Sequence, residues 1–209
     1  FPSSYSCYRP IIGNISDGEQ LTAVYGSHIG GRNNSDVLLL QFYCSNTILN
    51  FFPKGIEDFF PNLMALSFWY CNINTLRGDE LEFLPTLTLF ENDFTNGLER
   101  IPPNFFQNQP LMTSICFYQN SLKHFGAGVF DNLENLTFMD LGRNYCVNRV
   151  ANNRNQVLSL IDYVSVNCTD IFICEDIDTA ICNLQGQSRL LMEKNKQVKT
   201  LVGEVSVNL

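Results

Sequence analysis

Leu63-Met-Ala-Leu-Ser-Phe-Trp-Tyr-Cys-Asn-Ile73, Leu84-Pro-Thr-Leu-Thr-Leu-Phe-Glu-Asn-Asp-Phe94, Met112-Thr-Ser-Ile-Cys-Phe-Tyr-Gln-Asn-Ser-Leu122 and Leu136-Thr-Phe-Met-Asp-Leu-Gly-Arg-Asn-Tyr-Cys146 fit one template, L-x-x-L-x-L-x-x-N-x-L. A weaker copy precedes them, with Val37, Leu40 and Phe42 at the apolar positions and Ser45 at the Asn position. The starts at 37, 63, 84, 112 and 136 lie 26, 21, 28 and 24 residues apart. Self-similarity at such a period marks a chain of stacked units, each too small to bury its own apolar face.

The chemistry of one unit follows from its spacing. Strand side chains alternate with period two, so the apolar pair of L-x-L faces inward and its neighbours face solvent. The Asn that follows bonds the backbone where the chain turns out of the strand; Cys at that position, as in Cys71, packs as a small apolar group. The second half of each unit returns through turns, with Phe60, Leu81, Phe106 and Phe130 as apolar anchors ahead of the next start. Gln109 stands where the template asks for Leu.

These copies, over residues 37–146, resemble the leucine-rich repeat family. The resemblance implies an α/β architecture: a short solenoid of five repeats with a parallel β-sheet on its concave face. N- and C-terminal caps and a helical tail complete the expected layout. Residues 1–36, rich in Ser, Gly and Asn, read as the N-terminal cap, with Leu21–Tyr25 as a strand against the first repeat. Residues 147–168 read as the C-terminal cap. Asn144-Tyr-Cys146, followed by Leu158, Leu160, Ile161 and Cys168, resembles a reduced form of the cysteine-containing flank of extracellular members. That likeness implies a structural Cys146–Cys168 bridge.

Residues 169–209 form a tail. Cys174 and Cys182 flank the acidic run Glu175-Asp-Ile-Asp178, a solvated turn in preference to a calcium loop. Leu184, Leu191, Val198 and Val205 recur every seven residues, the pattern of an amphipathic helix or a short coiled coil. The order of solenoid, cysteine pairs and heptads resembles mosquito immune leucine-rich repeat proteins. That likeness implies Cys174 and Cys182 as intermolecular pairing candidates; an intrachain Cys174–Cys182 loop is the alternative.

Composition bounds the function. The 209 residues carry 13 Lys and Arg against 21 Asp and Glu, a net charge of −8, which disfavours nucleic acid as partner. Eight cysteines and sequons at Asn14, Asn33, Asn135 and Asn167 favour an oxidising, extracellular compartment and a glycoprotein. Phe1 in place of Met suggests a processed chain. No apolar run long enough to span a membrane occurs in the sequence. The two histidines, His28 and His124, stand far apart, and no nucleophile elbow, metal-binding H-E-x-x-H or phosphate loop is present, so a non-enzymatic protein without cofactor or metal is expected. Asp79-Glu80 reads as a solvated edge.

Register nominates a binding strip. Gln41, Ser67, Thr88, Cys116 and Asp140 lie between the paired apolar residues. Tyr43, Trp69, Phe90, Tyr118 and Gly142 come just after them, followed by Cys44, Tyr70, Glu91, Gln119 and Arg143. Four successive strands thus place an aromatic at one outward position. The expected site is Tyr43, Trp69, Phe90 and Tyr118, with Glu91, Gln119, Asp140 and Arg143, facing a protein or glycan partner. Mutual stacking of the rings and cover by the termini remain open as alternatives. A further alternative function is assembly of copies, or of a partner chain, through the tail. Cys116, with no basic residue beside it by register, reads as an inert thiol.

Overall fold

A computed structural model describes residues 5–8, 11–12, 20–21, 23–25, 27–44 and 49–168. The tail, with Cys174, Cys182 and the heptad pattern, lies outside these residues, as do Asn14 and Ser45. The strands are β1 (Ser6–Tyr8), β2 (Ile11–Ile12), β3 (Val24–Tyr25), β4 (Leu39–Tyr43), β5 (Ala65–Trp69), β6 (Leu89–Asp93), β7 (Arg100–Ile101), β8 (Ser114–Cys116), β9 (His124–Phe125), β10 (Phe138–Asp140) and β11 (Val150–Ala151). The helices are α1 (Ile56–Phe59) and α2 (Arg154–Asn167), with a 3-10 turn at Asn34–Asp36.

One seven-stranded sheet runs β1-β4-β5-β6-β8-β10-β11. All its pairings are parallel except β10 with β11. Five of these strands, β4, β5, β6, β8 and β10, come one from each repeat. The connections return on the far side, where β7 and β9 pair in parallel. This is a leucine-rich repeat solenoid.

The third repeat sits in a different frame from the template. Leu66 pairs with Phe90 and Phe68 with Asn92. Phe90, which the template puts outward, is 1% exposed. The frame that folds is Leu87, Phe90, Asn92, Thr95, all buried. Starts then fall at 37, 63, 87, 112 and 136, separated by 26, 24, 25 and 24 residues. A slip of three, like any odd slip, exchanges the two faces of a strand. Leu87-Thr-Leu89 imitates the apolar pair, but the larger gain is the ring of Phe90. Its centroid lies 5.3 Å from Phe105, 5.9 Å from Phe106 and 5.6 Å from Phe117. The frame has a cost: Asn92 is buried where the neighbouring repeats place Phe68 and Phe117, and its Nδ2 finds no partner.

Register aligns the return halves too. Leu81, Phe106 and Phe130, all buried, stand six residues before the starts at 87, 112 and 136. Gln109, at the Leu position, is buried and donates through Nε2 to the Leu81 carbonyl at 2.6 Å, while its Oε1 has no partner. The turn residues behave as the template requires. Asn144 Nδ2 donates to the Phe117 carbonyl of the preceding repeat at 2.7 Å, and Asn120 Nδ2 to that of Asn92 at 2.6 Å. Thr95 replaces Asn and donates to the Cys71 carbonyl at 2.7 Å.

The ends are closed differently from each other. At the N-terminal end β1 pairs with β4, whereas Val24–Tyr25, expected against the first repeat, pairs antiparallel with β2. Leu21 is buried and bonds the Lys54 carbonyl from its backbone N–H. At the other end α2 begins at Asn153, whose side chain accepts the Gln156 N–H, and buries Val157, Leu160 and Val164 over the last repeat. Leu158, read with that apolar set, is exposed.

Cys146 and Cys168 are bridged, with Cα atoms 5.5 Å apart. A second bridge joins Cys44 to Cys71, Cα atoms 4.7 Å apart, so Cys44 is buried and not an outward residue. Cys7 and Cys116 are free.

Candidate functional site

Strand pairing sets the outward rows of the sheet. Gln41, Ser67, Glu91, Cys116 and Asp140 form one row. Tyr43, Trp69 and Asp93 lead the next, which Tyr118 and Gly142 continue at the matching repeat position. Tyr70, Phe94, Gln119 and Arg143 follow, at the residue where the chain leaves the strand. All four have left-handed backbones, with φ between 53° and 60°. None is Gly, so each holds a conformation that costs about 1–2 kcal/mol. Tyr70, Phe94 and Arg143 meet the preceding outward row there, through the rings of Tyr43 and Tyr118.

Those rows produce an aromatic ladder whose membership differs from the expected one. Tyr43 meets Tyr70 edge-on at 5.3 Å, Tyr70 stacks on Phe94 at 4.4 Å with planes 9° apart, and Phe94 meets Tyr118 edge-on at 5.5 Å. The Arg143 guanidinium lies 5.4 Å from the Tyr118 ring centre and donates to Gln119 Oε1 at 3.2 Å. Gly142 makes room for this, since a Cβ there would come within 3.1 Å of the Tyr118 ring. Tyr70 is 45% exposed. Of the expected residues, Tyr43, Tyr118, Gln119 and Arg143 come together here, and Phe90 does not. Thr88 lies at the turn into β6 and bonds the Met64 carbonyl.

Trp69 and Glu91 form a second, adjoining group. Glu91 Oε2 accepts from Ser67 Oγ at 2.7 Å and from Trp69 Nε1 at 3.2 Å. Beside them Asp93 is 7% exposed. Its Oδ1 accepts the Tyr118 N–H at 2.9 Å and its Oδ2 faces Cys116 Sγ at 3.3 Å. Burial pushes the Asp93 carboxyl up to about 6, against those two bonds and with help from Glu91 and Asp140. Burial also raises Cys116, with the charge of Asp93 adding to it, so the thiol stays protonated and unreactive. Asp140 Oδ1 accepts the Gly142 N–H at 2.8 Å. Asp93, Phe94 and Tyr70 are absent from the expected site. The signal for the first two was repeat length, because only the frame with near-equal periods puts them outward.

The other candidates lie elsewhere. His28 bonds Tyr5 and Asn34 in the N-terminal cap, and His124 is on β9, so they share no site. Asp79 pairs with Lys54, and Glu80 accepts the N–H groups of Arg77 and Gly78. Asn33, Asn135 and Asn167 are exposed. Among the described residues no group of three or more His, Cys, Asp or Glu is placed to hold a metal, and no helix is long and apolar enough to cross a membrane.

A family model described as leucine rich repeat matches residues 93–145. Proteins built from this repeat generally mediate protein interactions. No curated protein matches the chain. Among solved structures, a chain of the Toll–Spatzle complex, described as a molecular hub in Drosophila development and innate immunity, is similar at 23% identity with a TM-score of 0.47. The match covers 53% of this chain and 14% of that one, so this chain spans a small part of its length.

Proposed function

We propose that this protein is an extracellular recognition module that binds a protein partner on its concave face. One observation carries the reading: among the described residues, a continuous row of half-buried and exposed rings, Tyr43, Tyr70, Phe94 and Tyr118, lies along one face of the sheet. Aromatic side chains concentrate binding energy at interfaces, and an exposed apolar row of this length marks a contact surface. Tyr70 and Phe94 spend a face on each other, and Arg143 lies over a face of Tyr118. That suits packing of protein side chains better than stacking of sugar rings, which needs an open face. Two disulfides fit an oxidising compartment, and exposed Asn33, Asn135 and Asn167 fit a glycoprotein.

The test is affinity capture from the extracellular fluid of the source organism, with retained proteins identified by mass spectrometry. A protein held by the wild type and by Phe83→Ser, a change at an exposed ring outside the sheet, is expected to be lost with Tyr70→Ala and with Phe94→Ala. Equal retention by all four proteins contradicts the reading.

A further inference from the structure

The concave face also carries charge that the aromatic ladder does not use. Glu91 on β6 pairs with Cys116, and Cys116 with Asp140 on β10. The two carboxylates therefore share a row two strands apart, roughly 10 Å. Both bonds to Glu91 go to Oε2, so Oε1 accepts nothing among the described residues. Asp140 is engaged through Oδ1 alone, by the Gly142 N–H. Ser67, Trp69 and Gly142 thus hold two carboxylates in place and leave one oxygen of each open.

No cation of the described residues answers them. Lys54 pairs with Asp79, Lys123 pairs with Glu99, and Arg143 is turned onto Tyr118 and Gln119. Asp93, buried on the same strand as Glu91 and against Cys116, adds a third carboxylate that pairs with no cation among the described residues. Like charges gathered on a half-buried face repel one another, and a partner of opposite sign relieves that repulsion and is steered to the face.

We propose that the concave face receives an extended, cationic polypeptide segment, with one basic side chain opposite Glu91, another opposite Asp140, and their aliphatic stems against Trp69 and Tyr118. In an extended chain of the polyproline II type, with three residues per turn and about 3.1 Å rise, residues three apart share one face and lie about 9 Å from each other, close to the span between the two carboxylates. This proposal rests on the concave-face reading and names the chemistry of its partner.

Trp69 is the only tryptophan in the chain and bonds Glu91, so its emission reports on the site. The probe is a fluorescein-labelled peptide, GSGRGGRGSG, with GSGEGGEGSG as its counterpart. Binding is read by anisotropy, and by Trp69 emission with the unlabelled peptides. The arginine peptide is expected to bind at low salt, to shift Trp69 emission and to weaken steeply toward roughly 0.5 M salt. Glu91→Gln and Asp140→Asn keep an acceptor for Ser67, Trp69 and Gly142, and each is expected to weaken binding by about tenfold. Equal affinity for the two peptides, unchanged affinity in both variants, or no binding at low salt overturns the proposal. The capture experiment separates the two claims. A partner lost with Tyr70→Ala while the peptide does not bind overturns the charge assignment alone. A partner indifferent to Tyr70→Ala and Phe94→Ala removes both.

Discussion

Replacing Phe90 by Ala tests the frame on which every outward assignment depends. Phe90 is fully buried among Phe68, Phe105, Phe106 and Phe117, with ring centres 5.3–6.4 Å away. Truncating a buried Phe removes its transfer free energy and leaves a cavity, together about 3–5 kcal/mol. The same change at an outward Phe costs about 0.5 kcal/mol or less. Leu89 is the internal control. It is half-buried on the concave side, so Leu89→Ala is expected to cost about 1 kcal/mol; in the template frame it is a core position and costs about 2–5 kcal/mol. The assay is equilibrium guanidinium unfolding with disulfides intact, followed by far-UV circular dichroism and by emission of the single Trp69. Phe90→Ala is expected to cost about 2–4 kcal/mol more than Leu89→Ala, about one and a half to three orders of magnitude in the unfolding constant. A larger loss for Leu89→Ala than for Phe90→Ala refutes the frame, and with it the placement of Asp93 and Phe94 on the concave face.

The Asp93 carboxyl titrates near 6 in the fold against 3.8 as a free side chain, so the folded state holds its proton more tightly between those values and the wild type loses stability as pH rises through that window. Asp93→Asn keeps an acceptor for the Tyr118 N–H and is expected to be more stable at pH 7.5 by up to about 3 kcal/mol, an advantage that melts at pH 3.5 no longer show. Removing the Cys44–Cys71 bridge with paired Ser substitutions frees a loop with a sequence separation of 27; the chain-entropy model gives a loss of about 3–4 kcal/mol, read from denaturant midpoints under oxidising conditions. Asn92→Leu removes a buried amide whose Nδ2 is unpaired and leaves Thr95 its bond to the Cys71 carbonyl; a gain of about 1–2 kcal/mol in thermal or denaturant unfolding is expected.

Much of the solenoid is legible in the sequence because four of five repeat frames carry their apolar residues at unambiguous offsets. The inward residues Leu66, Phe68, Ile115, Phe117, Met139 and Leu141 follow from period two alone. The third repeat misleads for a physical reason. Its true frame contains Asn at an apolar position and Thr at the Asn position, so matching residue types scores the wrong frame higher than packing does. Near-equal repeat length is the signal that favours the true frame, because parallel strands one repeat apart must stay in line. The Cys44–Cys71 bridge hides in the same way, since it joins adjacent turns between repeats whose side chains the template treats singly.

The concave site is legible in kind and partly misplaced in detail. An aromatic row is there, but left-handed turns at Tyr70 and Phe94 bring those rings into it and Phe90 leaves it. Period two says nothing about a residue beyond the strand end, so Tyr70 cannot be assigned to the ladder from spacing. The state of Asp93 depends on burial under Tyr118 and Cys116, which is a tertiary property.

The most direct test of the central claim is site-specific photocrosslinking. A photoreactive phenylalanine analogue at position 70 is expected to join the captured partner covalently, and the same analogue at position 83 is expected to leave it free. Crosslinking from position 83 with none from position 70 contradicts a concave recognition surface.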